Sequence, residues 1–219
     1  WLNDEGKVAK FVDASGKEFT GDYSKLNQVG GMASAVPGEV AGLEYVLSNF
    51  GSGKITRAEL MQPAIDLAEN GYIVTLTMKQ CTEDEYFEVA NMPEVAGYYL
   101  DENGLPLEVG TVLTNKDLAK TYRKIAEGGA DAFYKGEVAQ AIVDTLSKYG
   151  GVMTVEDLAN YKVEIREPVT STYRDYAIYS LPPASSGGTH LIEILNILEN
   201  FDMASMEINS PEYIHHFSE

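Results

Sequence analysis

A single cysteine and few basic residues limit what this 219-residue chain can do. With only Cys81, no internal disulfide forms and no cysteine-based metal cluster is available within the chain, which leaves its compartment open. Only 16 Lys and Arg stand against 34 Asp and Glu, for a formal net charge of -18. Such a surface repels phosphate backbones and anionic lipid, so nucleic acid and membrane surface are poor partners and solubility is the expected consequence. No apolar run approaches the roughly 18 residues that a membrane-crossing helix needs. The opening Trp1-Leu2-Asn3-Asp4 lacks both the basic start and the apolar stretch of a signal peptide, and it begins without Met, as processed or excised material does. The remaining composition, 44% hydrophobic and 23% charged, fits a globular chain of one large or two small domains.

What is present is a succession of capped, glycine-terminated helices. The first thirty residues, punctuated by Asn3-Asp4-Glu5-Gly6 and Ala14-Ser15-Gly16-Lys17, read as irregular strand and loop. Gly30-Gly31 through Pro37-Gly38 reads as a close-approach segment whose glycines serve packing, and the helix after it carries Val40, Leu43, Val46 and Leu47 on one face. Thr56-Arg57-Ala58-Glu59 has capping-box spacing and opens a helix to about Asn70, which Gly71 stops. Glu83-Asp84-Glu85 and Glu88 invite a metal-site reading, but a carboxylate run on an exposed helix lacks the loop spacing that hard cations want and is read as solvated surface. Asn103-Gly104, between Tyr98-Tyr99-Leu100 and Leu105-Pro106-Leu107, is a hairpin signal.

Thr114-Asn115-Lys116-Asp117 repeats the box ahead of Leu118, Tyr122 and Ile125, and Gly128-Gly129 ends that helix. A further helix begins near Gly136, carries Val138, Ile142, Val143 and Leu146, and stops at Gly150-Gly151. Thr154-Val155-Glu156-Asp157 is a third box. The middle of the chain is therefore a helical layer without a repeat of fixed period. At its end Ser210-Pro211-Glu212 starts a helix that reads as cut short, with eight residues following Pro211. Adjacent residues on a helix point about 100° apart, so His215-His216 reads as surface or packing rather than as a metal pair.

The most identifying stretch is Leu181-Pro182-Pro183-Ala184-Ser185-Ser186-Gly187-Gly188-Thr189-His190. Before it, Tyr173 to Ser180 alternates and is aromatic-rich, as a half-buried strand is. Two prolines end the ladder, and Ser185-Ser186-Gly187-Gly188 supplies local hydroxyl-to-backbone bonds and freedom at positive φ. Leu191, Ile194, Leu195 and Leu198 then repeat at helical spacing. One reading of this corner is a sharp connection; the other is a helix N-terminus whose amides and hydroxyls hold a carboxylate or oxyanion. A serine nucleophile is a weaker reading, because no Gly-x-Ser-x-Gly surrounds Ser185 or Ser186 and His190 is not identifiable as their base.

Taken with Tyr173-Arg174 before it and Leu195-Asn196-Ile197-Leu198-Glu199 after it, this corner resembles the large-subunit signature of the γ-glutamyltransferase family. Val36 to Leu43, Pro63 to Val74, Phe133 to Ala139, and Gly150-Gly151 with Thr154, Asp157-Leu158-Ala159 and Tyr161 fall in the same order. Ala184 departs from the family's usual third proline, which loosens the turn slightly.

The resemblance implies an α/β (α+β) fold, the layered αββα arrangement of an N-terminal-nucleophile hydrolase, of which residues 1–219 are the helix-rich part of the large subunit, truncated at both ends. In such a precursor self-cleavage frees an N-terminal threonine on the small subunit, and its own α-amine, titrating near ~8, is the base. By the same resemblance that nucleophile follows Glu219 and the arginine that holds the substrate carboxylate precedes Trp1. No catalytic, cofactor-binding or metal-binding residue is therefore assigned here, and no cofactor. The implied partners are the small subunit, a γ-glutamyl substrate in the complete enzyme, and further copies of the fragment; the implied location is periplasmic or extracellular. Alternatives stay open: acylases of β-lactam side chains and enzymes that cleave poly-γ-glutamate resemble the same family and share these blocks, and a non-catalytic binding protein that kept the scaffold and lost its nucleophile is a reading of a different class.

Overall fold

The computed structural model describes residues 27–218, so the expectation of irregular strand and loop before residue 27 lies outside the described residues. The chain divides into two compact units, Trp1–Val163 and Glu164–Glu219.

In the first unit a 3-10 turn, Gly31–Ala33, leads to α1, Glu39–Phe50. Helix α2, Arg57–Asn70, opens on the expected box: Thr56 Oγ1 accepts from Glu59 N–H at 3.2 Å, and Glu59 Oε2 accepts from Thr56 N–H at 2.8 Å. Gly71, at φ 97°, ends it. Strand β1, Tyr72–Ile73, pairs antiparallel with β2, Val112–Leu113, in the register Tyr72 to Leu113. Between these strands lie three short helices, α3 (Leu76–Asp84), α4 (Tyr86–Ala90) and α5 (Pro93–Tyr99). Helix α6, Lys116–Gly128, packs on α2. Its cap is Asn115, whose side chain accepts from Leu118 N–H at 2.8 Å, so the predicted box at Thr114 is one residue early. Asn is an equally good cap. Helices α7 (Ala130–Tyr134), α8 (Gly136–Lys148) and α9 (Val155–Ala159) follow, and α9 carries the expected box between Thr154 and Asp157.

Burial decides which predicted faces matter. Ile65 and Ala68 on α2, Ala119, Ile125 and Ala126 on α6, and Leu113 on β2 are buried, whereas Leu118 is exposed. A second core gathers Tyr134, Ala139 and Leu158, with Val36, Val40, Ala41 and Ile142 packed against it. On α1 the inward residues are thus Val40 and Ala41; Leu43 and Val46, expected on one face with Val40, are exposed. The helical period fixes which residues share a face, not what covers that face.

The second unit corrects the strand reading. Residues 173–180 are not one strand: β3, Val169–Tyr173, turns at Arg174-Asp175 into β4, Tyr176–Ser180, with Tyr173 opposite Tyr176 and Val169 opposite Ser180. Arg174 takes φ 51°, and its N–H donates to Glu199 Oε1 at 2.7 Å, which supports a left-handed turn residue that is not glycine. Helix α10, Gly187–Leu198, packs on both strands and sets Asn196 Oδ1 3.3 Å from Ser171 Oγ. Its half-buried residues include Ile192, Leu195 and Leu198, while Leu191 and Ile194 are exposed. A 3-10 turn at Met203–Ser205 precedes α11, Pro211–Ser218, whose predicted Ser210 cap accepts from Tyr213 N–H at 3.1 Å.

Candidate functional site

Three of the recognised sequence blocks meet around one phenol. Tyr134, buried at the end of α7, donates from its hydroxyl to Pro37 O at 2.5 Å and accepts from Ala41 N–H at 3.2 Å. It therefore closes the turn before α1 and satisfies an amide of its first turn, where helices leave donors unpaired. Tyr161 stacks on Tyr134 with ring centroids 5.7 Å apart and planes 9° from parallel. A side chain on Gly38 would run into the Tyr161 hydroxyl, so glycine lets the turn and the stacked ring approach without displacing Tyr161. Burial pushes the Tyr134 phenol above its ordinary value, outweighing the Ala41 amide, which lowers it. The phenol therefore stays protonated as a hydrogen-bond donor. Through Tyr134 these blocks join α1, α7 and α9.

At the corner, Ser185 N–H donates to Pro182 O at 3.2 Å, and the peptide between Pro183 and Ala184 is cis. Ser186 caps α10 with φ -80° and ψ -21° and makes no side-chain cap hydrogen bond. Among the described residues neither serine hydroxyl has a partner, so the expected hydroxyl-to-backbone bonds are not formed; αR geometry at Ser186 does not place its oxygen as an extended cap residue would. The expected positive φ is also absent at Gly187 and Gly188. Gly188 is instead needed for space: it is buried, and a Cβ there would meet Leu181 O and lie 2.9 Å from Ser180 Oγ. Gly187 has open space, its nearest neighbour in that direction being Ser185 Oγ at 3.8 Å. Arg166 braces the turn by donating to Pro183 O at 2.7 Å. His190, Ser185 and Ser186 are all exposed.

The other singled-out residues take plain positions. Glu83, Asp84 and Glu85 are exposed, with Glu83 3.8 Å from Lys79, and Glu88 is half-buried on α4. The His215 and His216 rings lie 5.4 Å apart at 78°; His216 packs edge-on against Phe201 at 4.4 Å, and its Nδ1 lies 2.8 Å from Glu212 O. Among the described residues no three His, Cys, Asp or Glu side chains are grouped to hold a metal.

Sequence reasoning missed Glu94. Its carboxylate pairs with Lys148 and accepts from Tyr149 Oη at 2.6 Å, linking α5 to the C-terminal end of α8. The Lys148 ammonium first, then the Tyr149 hydroxyl, draws the Glu94 carboxyl down to about 2. Nothing in its neighbourhood along the chain signals this, because its partners are 54 and 55 residues away.

The sequence pattern of the gamma-glutamyltranspeptidase family matches residues 8–219. The chain is 40% identical over 195 residues to an acylase ACY 1 proenzyme of Pseudomonas sp. (strain SE83), covering 89% of this chain and 34% of that protein. It is also 40% identical over 189 residues to the glutathione hydrolase proenzyme of Escherichia coli (strain K12), covering 86% of this chain and 32% of that one. It thus spans about a third of the length of these relatives. The gamma-glutamyltranspeptidase structure from Helicobacter pylori superposes with a TM-score of 0.84 at 36% identity, over 99% of this chain and 60% of that one. The fold is therefore the helix-rich, large-subunit part of an N-terminal-nucleophile hydrolase. From the order of its blocks, its fold and the extent of the match, the chain belongs to the gamma-glutamyltranspeptidase family.

Proposed function

We propose that residues 1–219 are the large-subunit share of a self-cleaving γ-glutamyltransferase, which transfers or hydrolyses the γ-glutamyl group of glutathione-like substrates. The attacking hydroxyl is an N-terminal threonine on a small subunit outside these residues. The observation that carries this reading is the 40% identity to a glutathione hydrolase proenzyme, maintained across 86% of the chain. The role of this chain is scaffold. It supplies the α1, α7 and α9 junction and the Pro182 to Gly188 corner, while the nucleophile, its amine base and the oxyanion donors belong to the partner. Large exposed apolar side chains, among them Phe50 in the first unit and, separately, Ile208 and Phe217 in the second, support the reading that each unit has apolar surface for the small subunit to cover, which self-associates when left bare. Location outside the cytoplasm is part of the proposal and rests on family likeness alone. Among the described residues, no helix is long and apolar enough to cross a membrane.

The equal identity to an acylase proenzyme favours a second reading, an acylase on the same scaffold. One set of assays tests both. The purified 219-residue chain is given a γ-glutamyl anilide, and no turnover above a heat-treated control is expected. Turnover that persists through further purification overturns the assignment of the nucleophile to the partner. The complete precursor is then offered glutathione and a β-lactam carrying an acyl side chain. Preference for glutathione by tenfold or more in kcat/KM, about 1.4 kcal/mol in the transition state, supports the γ-glutamyl reading; the reverse preference supports the acylase.

A further inference from the structure

We propose that residues 75–110 form a flap that swings as one body on the β1–β2 neck, and that Glu94 is the latch holding it to the end of α8. The excursion leaves and rejoins the first unit at one place. Beside the Tyr72 to Leu113 and Ile73 to Val112 pairs, Val74 N–H donates to Thr111 O at 2.8 Å and Gly110 N–H to Val74 O at 3.0 Å. These four residue pairs clasp both ends. Inside the clasp the excursion holds itself together: Tyr86 Oη donates to Gly104 O at 2.9 Å, Lys79 pairs with Glu108 at 2.7 Å, and Asp101 Oδ1 accepts from both Asn103 N–H and Leu105 N–H. A segment with its own internal bonds moves as a body more readily than it unravels.

Its hold on the rest of the unit is of a different kind. None of α3, α4 and α5 contributes a buried residue, whereas α2 and α6 together contribute five. Tyr99 sits beside Tyr72, a seat at the neck end where burial first, and then the neighbouring Tyr99 and Tyr122 phenols, raise the Tyr72 phenol above its ordinary value. Beyond that seat, the polar side-chain ties among the described residues are Tyr98 Oη to Asp117 Oδ2 at 3.2 Å and the Glu94 group. Tyr98 lies in the last turn of α5, near the neck, and Glu94 in its first turn, farther along the helix. The Glu94 pair, with Lys148 5.2 Å above the Tyr149 ring, is thus the tie that restrains the far end. It is solvent-exposed and ionic, so salt weakens it while leaving the buried α2–α6 contact intact.

Hydrogen exchange on the intact chain tests the latch. In Glu94→Gln, amides of residues 76–99 are expected to exchange about three- to tenfold faster, with α2 and α6 unchanged. Raising the salt from 50 to 500 mM should accelerate the same amides in the native chain and add little in the variant. The combined Lys148→Met and Tyr149→Phe variant removes the latch from the other side and should reproduce the Glu94→Gln pattern. Unchanged exchange in residues 76–99 in both variants overturns the proposal. So does acceleration spread equally over α2 and α6, which would make Glu94 a support of the whole unit. Neither result bears on where the nucleophile lies.

Discussion

The junction around Tyr134 and the excursion between β1 and β2 sit in one unit and use the same local vocabulary of hydroxyl caps, acidic first turns and short helices. Thr154 caps α9 as Thr75 caps α3, each accepting an amide three residues on. Yet Leu158 on α9 is completely buried, while Phe87 on α4 is 80% exposed. Local helix signals are therefore common to firm and loose regions. The difference lies in where the polar groups of each region find partners. Tyr134 spends its hydroxyl on the backbone of a segment about ninety residues away and removes it from water; Glu94 makes its distant contacts at the surface.

The strongest way to break this contrast is to cut one side chain from each region. Leu158→Ala leaves a cavity against Tyr134 and Ala139, and about 2–5 kcal/mol of stability should be lost. Phe87→Ala should stay within ~0.5 kcal/mol of the native chain, since little area is removed from contact. Urea unfolding of both variants decides it. A Phe87 effect as large as that of Leu158 would show that the excursion is packed like the core.

A narrower version of the same contrast is found at two neighbouring glycines in the second unit. Gly188→Ala places a methyl against Leu181 O and Ser180, so strand end or helix start must shift, at a cost of roughly 1–3 kcal/mol. Gly187→Ala enters open space and removes glycine's excess backbone entropy at a helix end, so stability should hold or rise by up to about 0.5 kcal/mol. Thermal melts distinguish the two. Equal losses at both positions would mean that helix entry, not close approach, sets the requirement. Ser185→Ala and Ser186→Ala serve as controls, because neither hydroxyl has a partner to lose among the described residues.

Much of this architecture was legible in the sequence, and the misses share a physical cause. Boxes at Thr56 and Thr154, the stops at Gly71 and Gly129 and the cap at Ser210 are set by residues within four positions of one another, so spacing alone finds them. The hairpin at Arg174-Asp175 was hidden because its turn residue is neither glycine nor asparagine; an amide bonded to Glu199, 25 residues on, supports it. The prolines mark the corner along the chain, but the glycine requirement at Gly188 comes from the Leu181 carbonyl just past β4 and the Ser180 side chain, not from dihedral freedom. On α1 and α10 the helical period groups residues by face without saying which face is covered. Which stripe is covered depends on neighbours that no local window contains.

The smallest expected effect is the one that sharpens the contrast most, because it follows a single exposed carboxylate. Lys148 and Tyr149 favour the charged form of Glu94 in the folded chain and lower its carboxyl from the ordinary 4.5 to about 2. A group with a depressed folded value stabilises the fold above its unfolded value and loses that contribution as pH falls through the folded one. The latch should therefore be fully engaged above about pH 5 and released progressively from there toward pH 2. Lys148 is shifted upward by the same contact, so on the alkaline side its share persists until pH passes through that raised lysine value. Carboxyl carbon shifts of Glu94, followed by NMR from pH 6 to 2, should titrate near the low end, and amide protection in α5 should decline over the same window while α2 and α6 keep theirs. In Glu94→Gln that α5-specific decline should be absent. A midpoint for Glu94 near 4.5 would mean that Lys148 and Tyr149 do not hold the carboxylate in solution, and the two regions would then differ in burial alone.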